Sequence, residues 1–187
     1  MVDVVGRLRE LEAGAAKDGR VRREDVLELF DSLPPVRVEE LAGTWRGNGI
    51  ATGNPFDGLL ERFGWYGKRF SGPEDAEPLL FRGKGDRVVS INPAFMPVGL
   101  MLGIADKLNS PVVAKLFRLL MPLMTTAKPR ARLRMVEYRG VSSAAMVYDA
   151  LPIHDPFRKV DDDTLLCAMD LRGLDAPFLF VLRRDAA

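Results

Sequence analysis

The sequence predicts a mainly β protein: a single antiparallel β-barrel with an N-terminal helical arm and a short helical lid insertion. Two observations predict this fold class. Strand-like segments separated by turn residues recur from residue 45 onward, and short connections favour antiparallel neighbours. So many antiparallel strands in one domain favour a closed sheet, which leaves no exposed edge. We expect the arm at 1–40, the barrel at 41–187 and the insertion at about 93–127.

Size and charge indicate an ordinary globular protein of 187 residues. Lys and Arg number 27 against 26 Asp and Glu, so no global field attracts nucleic acid. The one cysteine, Cys167, is expected to be a small buried hydrophobe in a reducing compartment. The first residues lack a basic head followed by an apolar run, and no apolar stretch reaches the roughly 18 residues of a membrane span. These features predict a cytoplasmic protein.

The arm is predicted to contain two helical stretches. Residues 1–20 are polar and helix-prone, with Gly14 and Gly19 as breakers. Residues 22–32 form a better helix, because apolar and charged positions recur at helical spacing, and Pro34 ends it.

Eight or nine strands and one short helix are predicted after the arm. Asn54 can cap a helix, and Pro55 is tolerated at its first position, so residues 54–61 are expected to form that helix. The strand-like segments are 45–51, 65–70, 79–82, 87–92, 130–138, 141–149, 153–159, 165–170 and 178–183.

The insertion at 93–127 differs from its surroundings, because it is rich in Met, Leu and Pro. Ser110 and Pro111 are typical of a helix start. We expect two short apolar helices here, one near 99–102 and one after Ser110, lying across the mouth of the barrel as a lid.

Trp45 lies between two nearby glycines in Gly43-Thr44-Trp45-Arg46-Gly47, on the first strand. The calycin superfamily of lipocalins and fatty-acid-binding proteins has a similar Gly-x-Trp feature, with an arginine of the last strand packed over the ring. The resemblance implies that Arg183 or Arg184 stacks on Trp45 here and closes the barrel.

Further motifs resemble a narrower family. Gly43-Thr44-Trp45-Arg46-Gly47 and Gly64-Trp65-Tyr66-Gly67-Lys68 resemble the GXWXG domain of bacterial and fungal proteins. The runs Glu137-Tyr138-Arg139-Gly140 and Pro152-Ile153-His154-Asp155 resemble the domain of unknown function that usually follows it. The resemblance covers roughly residues 25–184 and, by analogy with calycins, implies carriage of a ligand.

The residues themselves allow a ligand chamber under the lid. Either face of 141–149 carries small side chains, which leave space when they point into a barrel. Methionines suit an adaptable apolar surface, although ordinary core packing explains them equally well. The expected ligand is apolar or amphipathic, an acyl chain, lipid or phospholipid. The predicted ligand-binding residues are Met96, Met101, Leu116, Leu120, Arg132, Arg134, Met146, Tyr148, His154 and Arg158.

A basic run follows the insertion. Arg130, Arg132 and Arg134 alternate, so a strand places all three on one face. With Lys68, Arg69, Arg158 and Lys159 they are candidates to hold a phosphate headgroup, which would allow peripheral membrane contact. The alternative is a solvated outer face.

The single histidine, His154, leaves three interpretations open. It is a structural residue, an acid–base group with Asp149, Asp155 or Tyr148, or an axial haem ligand as in barrel haem proteins. We predict no cofactor, no metal site and no catalytic residue. The predicted function is a carrier or sensor. The alternatives are a small cytosolic enzyme using His154, Asp155 and Tyr148 at the barrel mouth, or a haem protein.

Overall fold

The computed structural model describes residues 3–96 and 110–185, and its strands form one antiparallel sheet. Within those residues there are nine strands. They are β1 (Gly43–Gly49), β2 (Trp65–Gly72), β3 (Asp75–Arg82), β4 (Val88–Ser90), β5 (Ala131–Tyr138), β6 (Val141–Tyr148), β7 (Ile153–Asp161), β8 (Thr164–Leu171) and β9 (Phe178–Arg184). All nine predicted segments form strands. The largest difference from the prediction is the start of β3, which begins at Asp75 rather than at residue 79. The strand continues past Pro78, a residue that disfavours strands, because Pro78 lies at an irregularity in the pairing with β2.

Eight of the strands close into a ring. Neighbours follow the order β2-β1-β9-β8-β7-β6-β5-β3, and a β2–β3 pairing completes the circuit. The β3–β5 contact is the narrowest, with Ala76 opposite Ala131. β4 pairs with β3 outside the ring. The predicted mainly β, barrel-like class is therefore confirmed.

The N-terminal helices pack on the outside of the ring. They are α1 (Val4–Asp18) and α2 (Arg23–Ser32). Their apolar faces bury a second core against the outward side chains of β8 and β9, such as Leu166 and Val181. The prediction of Gly14 as a breaker was wrong, since it lies inside α1, whereas Gly19 ends that helix with φ of +79°.

Two further helices lie near the beginning of β2. The first, α3, spans Leu59–Phe63 and starts later than predicted, because the Asp57 carboxylate accepts N–H groups of residues 52–54 and holds a turn there. The second, α4, spans Pro111–Met124 and begins where Ser110 predicted. The expected helix near 99–102 lies outside the described residues. Within residues 3–96 and 110–185, no helix is both long and apolar enough to cross a bilayer.

A bulge in β2 decides which side chains face the interior. Trp65 and Lys68 are three positions apart, yet both line the inside of the ring. Regular alternation would place them on opposite faces, but the register shifts on either side of Gly67. Gly67 has φ of +148°, and a Cβ there would lie 1.9 Å from the Trp45 carbonyl oxygen. Only glycine fits, so this position turns Lys68 inward.

Candidate functional site

A cavity lies inside the ring, at the end where β9 begins. Its volume is about 60 Å³, measured as the space open to the centre of a water-sized sphere. One water needs roughly 10–15 Å³ on that measure, so the cavity has room for several waters or a compact molecule. It is lined by Phe56, Leu60, Trp65, Lys68, Leu79, Met96, Tyr148, Leu151, Ile153, Asp155, Met169, Phe178 and Phe180. Apart from three polar residues, the wall is apolar, and four of its ten apolar residues are aromatic.

The polar residues Lys68, Asp155 and Tyr148 form one buried cluster. Lys68 Nζ lies 2.8 Å from Asp155 Oδ2, and both side chains are almost fully buried. The ammonium also donates hydrogen bonds to Tyr148 Oη at 3.3 Å and to the Pro78 carbonyl oxygen at 3.2 Å. The ammonium therefore makes two hydrogen bonds and one close charge contact, the latter with Asp155.

The Asp155 carboxylate is less well satisfied. Among the described residues, neither of its oxygens accepts a hydrogen bond of good geometry, although the Lys68 charge lies next to Oδ2. Oδ1 is buried at the cavity wall without a donor. Because an unpaired buried acceptor is costly, this atom marks the point where a bound molecule or water would donate a hydrogen bond.

Burial and charge set the protonation of this cluster. Burial raises the pKa of Asp155, and the neighbouring Lys68 charge opposes that rise. Burial raises the pKa of Tyr148 well above its usual value, and the charge of Asp155 adds to the rise. Tyr148 is therefore a neutral phenol at neutral pH.

Aromatic rings surround the Lys68 charge. Its Nζ lies 5.2 Å from the ring centroid of Phe180, 5.6 Å from that of Tyr148 and 5.8 Å from that of Trp65. Their faces carry partial negative charge, so they stabilise the buried cation. Trp65 is itself fixed, since its indole N–H donates to the Gly67 carbonyl oxygen at 3.0 Å.

The other end of the ring, where β9 ends, is closed. The guanidinium carbon of Arg184 lies 4.2 Å from the ring centroid of Trp45, which confirms the predicted stacking for this arginine. Arg184 also donates to the carbonyl oxygens of Glu40 and Ala42, and the Trp45 indole donates to that of Leu41. Arg183 points outward and pairs with Glu12 of α1, so it takes no part in the closure.

Only some of the predicted apolar site residues line the cavity. Met96 and Tyr148 line the cavity, and Met146 is buried in the same core without reaching it. Leu116 and Leu120 are exposed on α4 and point away from the ring. Met101 lies outside the described residues.

The predicted basic residues are not brought together. Arg132 and Arg134 do share the outer face of β5, where they pair with Asp149 and Glu74. Arg158 is fully buried under α2, with its guanidinium 4.7 Å from the Phe30 ring centroid. The expectation of one headgroup site formed with Lys68, Arg69 and Lys159 is corrected: Lys68 is interior, while Arg69 pairs with Glu77 and Lys159 with Glu40 and Asp162.

His154 lies on the outer face of β7, because strand alternation turns it away from Asp155. Its Nε2 lies 3.3 Å from Asp170, and its ring packs edge-on against Tyr138. The expected grouping of His154 with Asp155 and Tyr148 is therefore corrected, and Asp170 is the residue that orients the imidazole. As the chain has one histidine, no imidazole from this chain faces the interior to ligate a haem.

The pairing of Lys68 with Asp155 was missed from the sequence. Asp155 had a detectable signal, since it lies between the inward residues Ile153 and Phe157 of an alternating strand. Lys68 had none, because its direction depends on the bulge at Gly67. The free thiol of Cys167 is buried as expected, and burial raises its pKa well above the usual value.

Comparisons with known proteins agree with these features. Residues 28–85 match the GXWXG protein family, and residues 129–184 match a domain of unknown function, DUF4334. A crystal structure of a protein from Thermomonospora curvata is 33% identical, with 99% of this chain and 100% of that chain covered and a TM-score of 0.70. No curated protein matches the chain. The motifs that carried the resemblance lie inside the matched segments, and the chain belongs to the family of proteins that join a GXWXG domain to a DUF4334 domain.

Proposed function

We propose that this protein is a carrier or sensor that holds a compact, largely apolar molecule with a hydrogen-bond donor inside the ring. One observation carries the proposal: a buried carboxylate oxygen of Asp155 without a donor, at the wall of an aromatic cavity. A hydroxyl, amine or amide N–H on the ligand would satisfy that oxygen. The apolar remainder would pack against the aromatic rings.

The cavity wall favours such a ligand energetically. Removing apolar surface from water stabilises a complex by roughly 25 cal/mol per Å², and the wall offers Phe56, Trp65, Phe178 and Phe180 for this contact. A hydrogen bond to a charged acceptor adds about 1.5–3 kcal/mol. Together these terms select an amphipathic molecule over a purely apolar one.

Cavity size favours a compact ligand. Sites for drug-sized molecules have volumes of about 300–1,000 Å³. The roughly 60 Å³ here is far below that range. The acyl chain or phospholipid expected from the sequence would require the cavity to widen, so we propose a ring-sized alcohol, phenol or amine instead.

Binding is a better proposal than catalysis. The enzyme interpretation needed His154 beside Asp155 and Tyr148, and that imidazole lies outside the ring. Within the cavity, Lys68 is engaged by three oxygens and Tyr148 is a neutral phenol. These groups suit recognition of a polar substituent.

Phenol and toluene test the proposal, because they have similar size and differ in the donor. The two tryptophans give the readout. Trp65 lines the cavity, whereas Trp45 lies under Arg184 at the closed end. In ¹⁵N–¹H correlation spectra, phenol should shift the indole signal of Trp65 and leave that of Trp45 in place. Phenol should bind at least about tenfold more tightly than toluene, the smallest ratio that one charged hydrogen bond supplies.

Two variants separate recognition from stability. Lys68→Met with Asp155→Leu replaces the ion pair by apolar side chains, a change that buried pairs commonly tolerate. It should abolish the preference for phenol while toluene still binds. Tyr148→Phe keeps the carboxylate and should keep the preference. If neither probe shifts Trp65, or if the double variant still prefers phenol, the proposal is wrong. Native mass spectrometry of freshly purified protein would then give the mass of any molecule that copurifies with it.

A further inference from the structure

The outer face of α4 is apolar, which is unusual for a helix at the surface. Leu119 and Leu123 are 74% and 79% exposed. Helical spacing places them on one stripe with the other exposed apolar residues of the helix, Val112, Leu116 and Leu120. Contiguous exposed apolar patches mark interaction sites on soluble proteins.

The fold does not depend on this stripe, because the opposite face of α4 anchors the helix. Ala114 and Met121 are buried in the ring core, and Phe117 packs on Phe63 and Phe81 with centroids 4.8 and 5.3 Å apart. A surface helix normally has one apolar face, and α4 has two.

The charges beside the stripe have one sign. Within α4 the charged residues are Lys115 and Arg118, and the helix has no Asp or Glu, in a chain whose net charge is only +1. A groove beside α4 is lined by Arg82, Lys84, Lys115 and Arg118, with no acidic side chain among its described lining residues. Neither Lys115 nor Arg118 forms an ion pair with a described residue.

We propose that α4 docks this protein on the surface of an anionic lipid bilayer. The helix, about 21 Å long, lies in the interface with its leucines among the acyl chains. Lys115 and Arg118, with Arg82 and Lys84 of the groove, contact the headgroup phosphates. Each cation near an anionic surface strengthens binding by an increment that salt screens.

Charge favours the bilayer over a second copy of this chain. In a symmetric dimer through α4, the stripe of one copy would meet the stripe of the other. Lys115 and Arg118 of both copies would then approach each other without an acidic residue on the helix to neutralise them. A bilayer of negative headgroups satisfies the leucines and the cations together.

Flotation with vesicles of equimolar phosphatidylcholine and phosphatidylserine tests the proposal. The wild-type protein should float with these vesicles, bind pure phosphatidylcholine weakly, and be released by high salt. Leu119→Gln with Leu123→Gln should lower the partition coefficient at least about tenfold, because both leucines leave the interface. Lys115→Gln with Arg118→Gln should lower it by about thirtyfold on the anionic vesicles alone.

The control variants change exposed residues elsewhere on the molecule. Met135 on β5 is 49% exposed, so Met135→Gln should leave flotation unchanged. Lys17 and Arg37 are exposed cations away from α4, and their double substitution by Gln should likewise have no effect. All variants should unfold at the wild-type temperature, since the altered side chains are exposed.

Three outcomes would overturn the proposal. The wild-type protein stays unbound on anionic vesicles; or the leucine pair floats like the wild type; or the wild type is a dimer that the leucine substitutions make monomeric, which would assign the stripe to a second copy. The experiment uses no ligand of the ring interior. A failure here therefore leaves the phenol and toluene result standing, and the converse also holds.

Discussion

The two ends of the ring use similar chemistry for different results. At the end where β9 finishes, Arg184 covers Trp45, and its donors reach the carbonyl oxygens of Glu40 and Ala42. At the end where β9 begins, Lys68 lies among aromatic rings and next to Asp155, with a cavity alongside. Both ends place a cation against aromatic rings. Only the second has a buried carboxylate oxygen without a donor at its cavity wall.

The difference lies in what surrounds each cation. Arg184 is partly exposed, and its N–H groups donate to carbonyl oxygens of the chain itself. It therefore closes the ring without leaving one of these acceptors unpaired. Lys68 is buried, and its countercharge is a carboxylate that still lacks a hydrogen bond. We call the end with Arg184 the closed end and the end with Lys68, Asp155 and the cavity the receptive end. Both contain a cation and a tryptophan, and they differ in whether every buried acceptor has a hydrogen-bond donor.

Gly67→Ala should break both ends and gives the largest expected effect. The new Cβ would lie 1.9 Å from the Trp45 carbonyl oxygen, and the alanine would have to adopt a backbone conformation that favours glycine. We expect a loss of more than about 4 kcal/mol in the free energy of unfolding, measured by urea denaturation. Gly140→Ala is the control, because its turn has a positive φ and open space, and should cost only about 1 kcal/mol. Similar losses in the two variants would contradict the close-approach argument.

Lys68→Met tests the receptive end. Removing one partner of a buried pair leaves the Asp155 charge uncompensated, so we expect a loss of about 3 kcal/mol at neutral pH. The double variant with Asp155→Leu should recover most of that loss. A double variant that is less stable than Lys68→Met alone would show that the pair is net stabilising.

The loss in Lys68→Met should also depend on pH. Burial raises the folded-state pKa of Asp155 above its ordinary value of 3.8, and removing Lys68 raises that pKa further. For an acid with a raised folded pKa, the unfolded chain loses its proton first as pH rises. Stability therefore falls between the unfolded and folded pKa values. The difference between wild type and variant should be small below pH 3.8 and grow as pH rises past the wild-type pKa. A difference independent of pH would refute this assignment.

Arg184→Ala tests the closed end and should have a smaller effect. It removes the stack on Trp45, hydrogen bonds to the carbonyl oxygens of Glu40, Ala42 and Asp162, and an exposed ion pair with Asp163, so we expect a loss of about 2 kcal/mol. Arg183→Ala removes only an outer ion pair with Glu12 and should cost less than about 1 kcal/mol. Thermal unfolding of the pair measures the contrast. Equal losses would mean that closure owes nothing to the stack.

The sequence by itself determined the strand pattern, the family and the closed end. Hydrophobic alternation and turn residues are local signals, so all nine strands were predictable, and the Gly-x-Trp motif with a terminal arginine indicated the Trp45 stack. Tertiary structure alone decided the receptive end. Lys68 points inward only because a bulge at Gly67 reverses the alternation, and that bulge accepts only glycine because the β1 backbone approaches too closely for any side chain. His154 and Asp155, adjacent in the chain, lie on opposite faces of the same strand, while Lys68 and Asp155 meet across the ring because closure of the sheet brings β2 and β7 face to face.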